Sequence, residues 1–307
     1  MPTMSLDTEV VIMARFRRAL ILGVSSLLLL QTGCLVSTRR LRQVQVPSVV
    51  MSANADQLVK IVNDHCSDIH SMTAVVDFQL TEGGPRKGRE KTYTSFRGYI
   101  LERNPDSLRV VVQLPVVGTV ALDMATRDGT FKLFIPLHNE VFVGSNTVTK
   151  VSPNPLENFR PAVFANSLSL SCIGTQDLVT LTSETKTHLD SEAKHLIAQP
   201  DYDLMVVRRK QNSQELVPER VIHFSRIDLR PYQEDMYDEE GAIQTDAVYG
   251  PLQTFDGTKF PKTIVIKRPL EEMQILIRVN KLTVNTPLTD DKFELKIPEG
   301  TTVRKLD

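Results

Sequence analysis

The run Ala74-Val75-Val76-Asp77-Phe78-Gln79-Leu80, residues 74–80, decides the fold. Ala74, Val76, Phe78 and Leu80 alternate with positions that include polar Asp77 and Gln79. A period of two puts the whole apolar set on one face of an extended chain. The same pattern returns along the sequence. Gly83-Gly84-Pro85 opens a basic loop with Arg86, Lys87, Arg89 and Lys91, and residues 92–103 then read as a second strand turned by Asn104-Pro105-Asp106. Leu108, Val110, Val112 and Leu114 make a third, stopped at Pro115, and Val120, Leu122 and Met124 lie on a fourth. Arg127-Asp128-Gly129 is a turn before strands at 131–135 and 141–143. Later strands read at 202–209, 217–225, 227–237, 243–249, 262–267 and 273–284, with a short one near Val303. Asp238-Glu239-Glu240-Gly241 turns one hairpin, and its acids lack calcium-loop spacing.

Two stretches break the period of two. In residues 55–69, Leu58, Val62, Cys66 and Ile69 recur at three- and four-residue steps, the signature of an amphipathic helix. Asn54 and Gln57 supply a capping box. His65 and His70 fall on different sides of this helix, so no metal site is read there. A second helix starts at Asn154-Pro155, with Leu156, Phe159, Val163 and Phe164 as its buried face and a kink at Pro161. About eleven strands and two helices, joined mostly by hairpin-length connections, describe a mainly β (α+β) chain. The expected architecture is an antiparallel sheet curled into an unclosed β-barrel, with the helices covering the open side. The expected divisions are residues 1–33, 34–52 and 53–307.

The 307 residues carry 36 Lys and Arg against 37 Asp and Glu, so no basic surface for nucleic acid is implied. Neither a Gly-x-Ser-x-Gly elbow, a His-Glu-x-x-His pair, a phosphate loop nor a Cys-x-x-Cys pair occurs, and the six histidines are scattered. No enzyme, cofactor or metal is expected. Of Cys34, Cys66 and Cys172, the last two read as separately buried thiols, with a disulfide as the alternative.

The amino-terminal region has its own logic. Arg15, Arg17 and Arg18 precede an apolar run, residues 19–30, that is too short for a bilayer-spanning helix of about 20 residues. This describes a secretory signal peptide over residues 1–33, with Met13 an alternative start to Met1. Leu30-Gln31-Thr32-Gly33-Cys34 resembles the lipobox of bacterial lipoproteins, although Gln31 stands where that group prefers an aliphatic residue. The resemblance implies recognition of Leu30, Gln31, Thr32 and Gly33 by a signal peptidase, and acylation of Cys34. Leu35 is, by the same resemblance, permissive for the outer membrane. Residues 38–50, with Arg39, Arg40 and Arg42, read as a tether whose arginines can rest on anionic headgroups.

The order helix, strand meander, helix, strands is similar to the LolA/LolB superfamily of periplasmic lipoprotein carriers and outer-membrane receptors. Local likenesses are Gly98-Tyr99-Ile100-Leu101 before Asn104-Pro105, Asp128-Gly129-Thr130-Phe131, Pro136-Leu137-His138-Asn139-Glu140-Val141, Phe260-Pro261-Lys262-Thr263-Ile264 and Ile297-Pro298-Glu299-Gly300. The chain departs from that group in having no Trp and in being longer. The resemblance implies a lipid-anchored protein on the periplasmic face of the outer membrane of a Gram-negative-type envelope. It would bind acyl chains in an apolar hollow and take part in lipoprotein or lipid transfer. Implied partners are membrane lipid through Cys34, acyl chains of lipoproteins or lipids, and a periplasmic carrier protein. The alternative is an envelope sensor or structural subunit with the same fold.

Two regions emerge as candidate sites. Alternation places Val110, Val112, Val120 and Leu122 on one face of neighbouring strands, lining either a hollow or a packed core. In Pro115-Val116-Val117-Gly118, Val116 and Val117 occupy the place of the receptors' membrane-touching loop. The alternative is a tight turn folded back on the sheet. Cys34→Ala tests the anchor: metabolic labelling with a fatty acid is expected to be lost, and unchanged labelling would remove the lipoprotein reading.

Overall fold

The computed structural model describes residues 15, 17, 43–146, 161–189, 194–210 and 212–306. Cys34, the lipobox positions Leu30 to Gly33, and the start of the second helix, with Leu156 and Phe159, lie outside them. The elements in chain order are β1 (Val44–Gln45), α1 (Ala55–Asp68), β2 (Ser71–Gly84), β3 (Arg89–Thr92), β4 (Phe96–Arg103), β5 (Ser107–Gln113), β6 (Val120–Arg127), β7 (Thr130–Ile135), β8 (Glu140–Ser145) and α2 (Pro161–Leu168). They continue with β9 (Leu178–Leu189), β10 (Leu196–Arg209), β11 (Leu216–Ser225), β12 (Pro231–Tyr237), β13 (Ile243–Tyr249), β14 (Leu252–Phe255), β15 (Thr258–Pro261), β16 (Thr263–Arg268), β17 (Met273–Val284) and β18 (Thr302–Leu306). The chain divides into two units, residues 1–44 with 189–196, and residues 45–188 with 197–307. Both helices, β2 to β8 and β11 to β18 belong to the second.

The alternating run forms the middle of β2, and Ala74, Val76 and Phe78 are buried as the period predicts. β2 is central in one large sheet that runs β10-β11-β12-β13-β16-β17-β2-β4-β5-β6-β7-β8-β18. Successive neighbours along this path pair antiparallel except the last. β18 runs parallel to β8, Thr302 opposite Glu140, so the fully antiparallel expectation is corrected. The cause is the route of the chain. After β17, residues 285–301 cross the sheet, where Arg103 donates to the Leu288 carbonyl and Arg109 to the Lys292 carbonyl. Phe293 and Leu295 are buried along the way. The crossing ends where Thr302 donates to the Asn139 carbonyl, at the start of β8, so β18 sets out in the direction of β8.

The sheet is open rather than closed into a barrel, and it is strongly curled. α2 touches both β6 and β16, which four strands separate in the sheet order. A flat sheet at about 4.8 Å per strand could not bring both to one helix. α1 packs its apolar stripe, Leu58 and Val62, into the same core, and Asn54 and Gln57 close the capping box predicted for them.

Sequence reasoning missed the four strands β3, β9, β14 and β15 for definite reasons. β14 and β15 form a separate two-stranded hairpin around Asp256-Gly257, both at positive φ, which is the Asp-Gly signal of a tight hairpin turn. β9 is Thr-rich and largely exposed, so its weak alternation of Val179 and Leu181 passed as loop. The basic loop after Gly84 contains β3, which pairs back on β2. Residues 227–230, read as strand, instead belong to the connection into β12, and Ile227 is exposed.

The reading of two separate thiols is also corrected. Cys66 on α1 and Cys172 after α2 form a disulfide, with Cα atoms 5.5 Å apart. Helical periodicity places Cys66 inward but carries no information on which distant residue comes to meet it. The bridge spans 106 residues of sequence, and its removal frees a long stretch of the unfolded chain. Cys172→Ser should cost about 2–4 kcal/mol in denaturant unfolding. A change below about 0.5 kcal/mol would show the bridge to be dispensable.

Candidate functional site

Between the curled sheet and α2 lies a hollow of about 600 Å³. That is within the range of about 300–1,000 Å³ common for small-molecule sites. Its walls come from β2, β4, β5, β6, β7 and β17, and α2 contributes Phe164. Val110, Val112, Val120 and Leu122 all stand on its wall, brought together by pairing of Val110 with Met124 and of Val112 with Leu122. A bulge comes next, because Gln113 pairs with Val120 and leaves Ala121 over. The extra residue bends β6, and Val120, Ala121 and Leu122 all reach the lining. Alternation alone would have turned Ala121 outward.

Sequence reasoning did not single out Phe78, Leu80, Phe96, Phe164 or Ile275 as lining, though three of them, Phe78, Leu80 and Phe164, sat on faces already read as apolar. Phe78 meets Phe164 edge to face, with centroids 6.4 Å apart. Gly98 makes room for it: a Cβ there would stand 2.5 Å from the Phe78 ring and 2.4 Å from the Val111 carbonyl oxygen. The aromatic pair thus joins α2 to β2 at the edge of the hollow, beside the Val and Leu wall of β5 and β6. The polar fringe includes Thr119 and His138.

The mouth lies where β2, β5 and β7 end and β4, β6 and β8 begin. Its rim is apolar and exposed. Leu114 and Leu137 line the hollow and also face solvent. Val116 and Val117 sit two and three residues beyond Leu114, in a loop closed by Leu114 N–H donating to the Thr119 carbonyl. Val117 is 68% exposed, and Val116 is fully exposed with φ 72°. This exposure favours a projecting loop over the folded-back turn weighed as the alternative. A β-branched residue in the left-handed region costs on the order of 1–3 kcal/mol, and such strain concentrates at functional positions.

The segment after α2 is pinned from several sides. Asn63 of α1 donates to the Ile173 carbonyl and accepts from its N–H. Arg220 donates to the carbonyls of Ser171 and Cys172 while pairing with Glu234 at 3.1 Å. Ser169 donates to Glu102, whose other oxygen has no partner among the described residues. Burial raises the Glu102 carboxyl to about 7, against the opposing Ser169 bond. Elsewhere in this unit, His223 lies between Asp203 and Asp235 at 2.6 and 3.1 Å. Burial opposes its charge, but the two carboxylates outweigh burial and push it up to about 9. No group of three or more His, Cys, Asp or Glu suited to a metal occurs among the described residues.

Glu102 makes a pH prediction. Its folded pKa lies above the ordinary carboxyl value, so the native state binds more protons than the unfolded chain between about pH 4.5 and 7. Its contribution falls as pH rises through that window, on the order of 1.4 kcal/mol per pH unit at the steepest. Glu102→Gln should flatten this part of the stability–pH curve relative to wild type. Parallel curves would contradict the assignment.

No protein-family model matches the chain, and no curated protein sequence does. Solved structures do. A DUF1329 family protein from Desulfovibrio piger is similar at TM-score 0.50 and 16% identity, covering 78% of this chain and 95% of that one. A LolA superfamily protein from Nitrosomonas europaea is similar at TM-score 0.48 and 11% identity, over 80% of this chain and 99% of that one. A putative outer membrane lipoprotein-sorting protein domain from Vibrio parahaemolyticus is similar at TM-score 0.49 and 16% identity, over 78% and 97%. Structural neighbours of this chain thus include LolA superfamily proteins.

Proposed function

We propose that this chain is an acyl-chain carrier of the bacterial cell envelope, anchored through an acylated Cys34 and acting in lipoprotein or lipid transfer at the periplasmic face of the outer membrane. One observation carries the reading: an apolar hollow of about 600 Å³ that opens at a rim of exposed Leu and Val side chains. Water in such a hollow has few polar partners. An acyl chain that replaces it gains roughly 25 cal/mol for each Å² of apolar surface covered. Among the described residues the walls carry no nucleophile or acid–base pair poised for chemistry, which favours carriage over catalysis. The Cys66–Cys172 disulfide supports an oxidising compartment, as a periplasmic location requires.

The rim supports a division of labour. Val116 and Val117, exposed and held in a strained loop, are placed to enter the headgroup region or an apolar patch on a periplasmic carrier protein. Cargo then passes along Leu114 and Leu137 into the hollow without its chain crossing water.

Two variants test this. The wild type should take up a fluorescent fatty acid, and Val112→Glu should weaken uptake at least about tenfold with melting little changed, because the site faces the hollow rather than a packed interior. Val116→Glu with Val117→Glu should fold and bind normally but slow delivery of the probe to liposomes. A wild type that binds no acyl ligand would remove the proposal, and a double variant that melts early would show the loop to be packed.

A further inference from the structure

The hollow is apolar, yet the hairpin above its mouth is basic. β2 continues past the lining residue Leu80 to Glu82 and Gly84, and β3 pairs back on it, with Lys91 opposite Glu82 and Arg89 opposite Gly84. Directly opposed residues of an antiparallel pair share a face, and residues two apart along a strand share it too. Lys91 and Arg89 therefore stand on the same face as Phe78 and Leu80, beyond the end of the hollow. Their position continues the hollow's wall as a cationic collar.

These two charges are unspent. Both residues are exposed, and no carboxylate lies within ion-pair distance of either among the described residues. The neighbouring charges are used structurally. Arg86 donates to the carbonyls of Pro269 and Leu270, and Lys87 to the Glu271 carbonyl. Glu272 accepts from the backbone N–H groups of Arg86 and Lys87, which fixes the hairpin to the β16–β17 turn. Glu82 accepts from the Tyr93 hydroxyl at 2.9 Å, and Lys91 lies over the Tyr93 ring, 4.3 Å from its centre. The ring thus holds the ammonium in place without neutralising it. Glu90 alternates to the opposite face.

We propose that Lys91 and Arg89 bind the anionic head group of an amphiphile whose acyl chain lies in the hollow. This rests on the acyl-carrier reading and adds to it the chemical class of the ligand. A carboxylate or phosphate at the mouth accepts charge-assisted hydrogen bonds from both side chains, while its chain stays in the apolar wall below. A ligand with an uncharged head leaves both cations solvated and gains nothing from them.

The test uses the full chain and displacement of the fluorescent fatty-acid probe by lipids of matched acyl composition. Phosphatidylglycerol is compared with diacylglycerol, and a fatty acid with the corresponding fatty alcohol. The wild type should bind the anionic member of at least one pair about tenfold more tightly, with the preference shrinking as salt rises. A preference in the first pair identifies phosphate as the bound group, and one in the second pair alone identifies carboxylate. Lys91→Gln with Arg89→Gln should abolish the preference, and uptake of the uncharged lipid by the same variant confirms that the hollow is intact. Arg97→Gln removes an exposed charge next to Phe96 on the opposite face, and should keep the preference. Equal binding of charged and uncharged lipids, or a preference that survives in the double variant, overturns the head-group assignment alone. A wild type that binds none of the four overturns the acyl-carrier reading and this assignment with it.

Discussion

The hollow is framed by the meeting of α2 with β2, where Phe164 stands against Phe78, while α2 also rests on β6 and β16. A curled sheet lined by Val, Ile, Leu and Phe gains free energy by collapsing on itself, and close packing is the ordinary outcome. Here Phe164 meets Phe78 edge to face, and Gly98 leaves the space that lets the Phe78 ring lie over β4. The chain beyond α2 is fixed by a disulfide to α1, by both bonds of Asn63 to Ile173, and by Arg220 on two carbonyls. These constraints act on one short segment, residues 169–173. They fix the chain where it leaves α2, the helix that contacts β6 and β16 and brings Phe164 to the hollow.

The same segment holds buried polar groups that a purely structural clamp does not need. Glu102 accepts from Ser169 with one oxygen, the other has no partner among the described residues, and burial raises its carboxyl to about 7. Glu234 lies nearby, also raised to about 7 by burial despite its pairing with Arg220. The grip on α2 thus combines a covalent tie with groups that titrate near neutrality. The mouth has a different character. Its rim is apolar at Leu114, Val116, Val117 and Leu137, and cationic on the β2–β3 hairpin.

The sheet was legible because its signal is local. Alternation in residues 74–80, and in the stretches holding Val110, Val112, Val120 and Leu122, fixed which side chains share a face. The capping box at Asn54 and Gln57 fixed the start of α1. What was hidden depends on geometry that no local pattern encodes. The Ala121 bulge, the return of residues 285–301 that makes β18 parallel, and the meeting of Cys66 with Cys172 are products of chain routing. Whether an apolar face lines a hollow or a core was open for the same reason: a valine reads alike in both. The Asp256-Gly257 turn was readable, and its flanking segments, Leu252–Phe255 and Thr258–Pro261, were too short to announce themselves as strands.

The central claim is that the space under α2 holds an acyl chain. Mass spectrometry of the intact protein, extracted gently from the membrane fraction in which it resides, tests this most directly. The account predicts a non-covalent acyl-bearing ligand in near-stoichiometric amount, in addition to any lipid covalently attached at Cys34. A protein that carries no such ligand, and remains empty when offered acyl lipid, would contradict it.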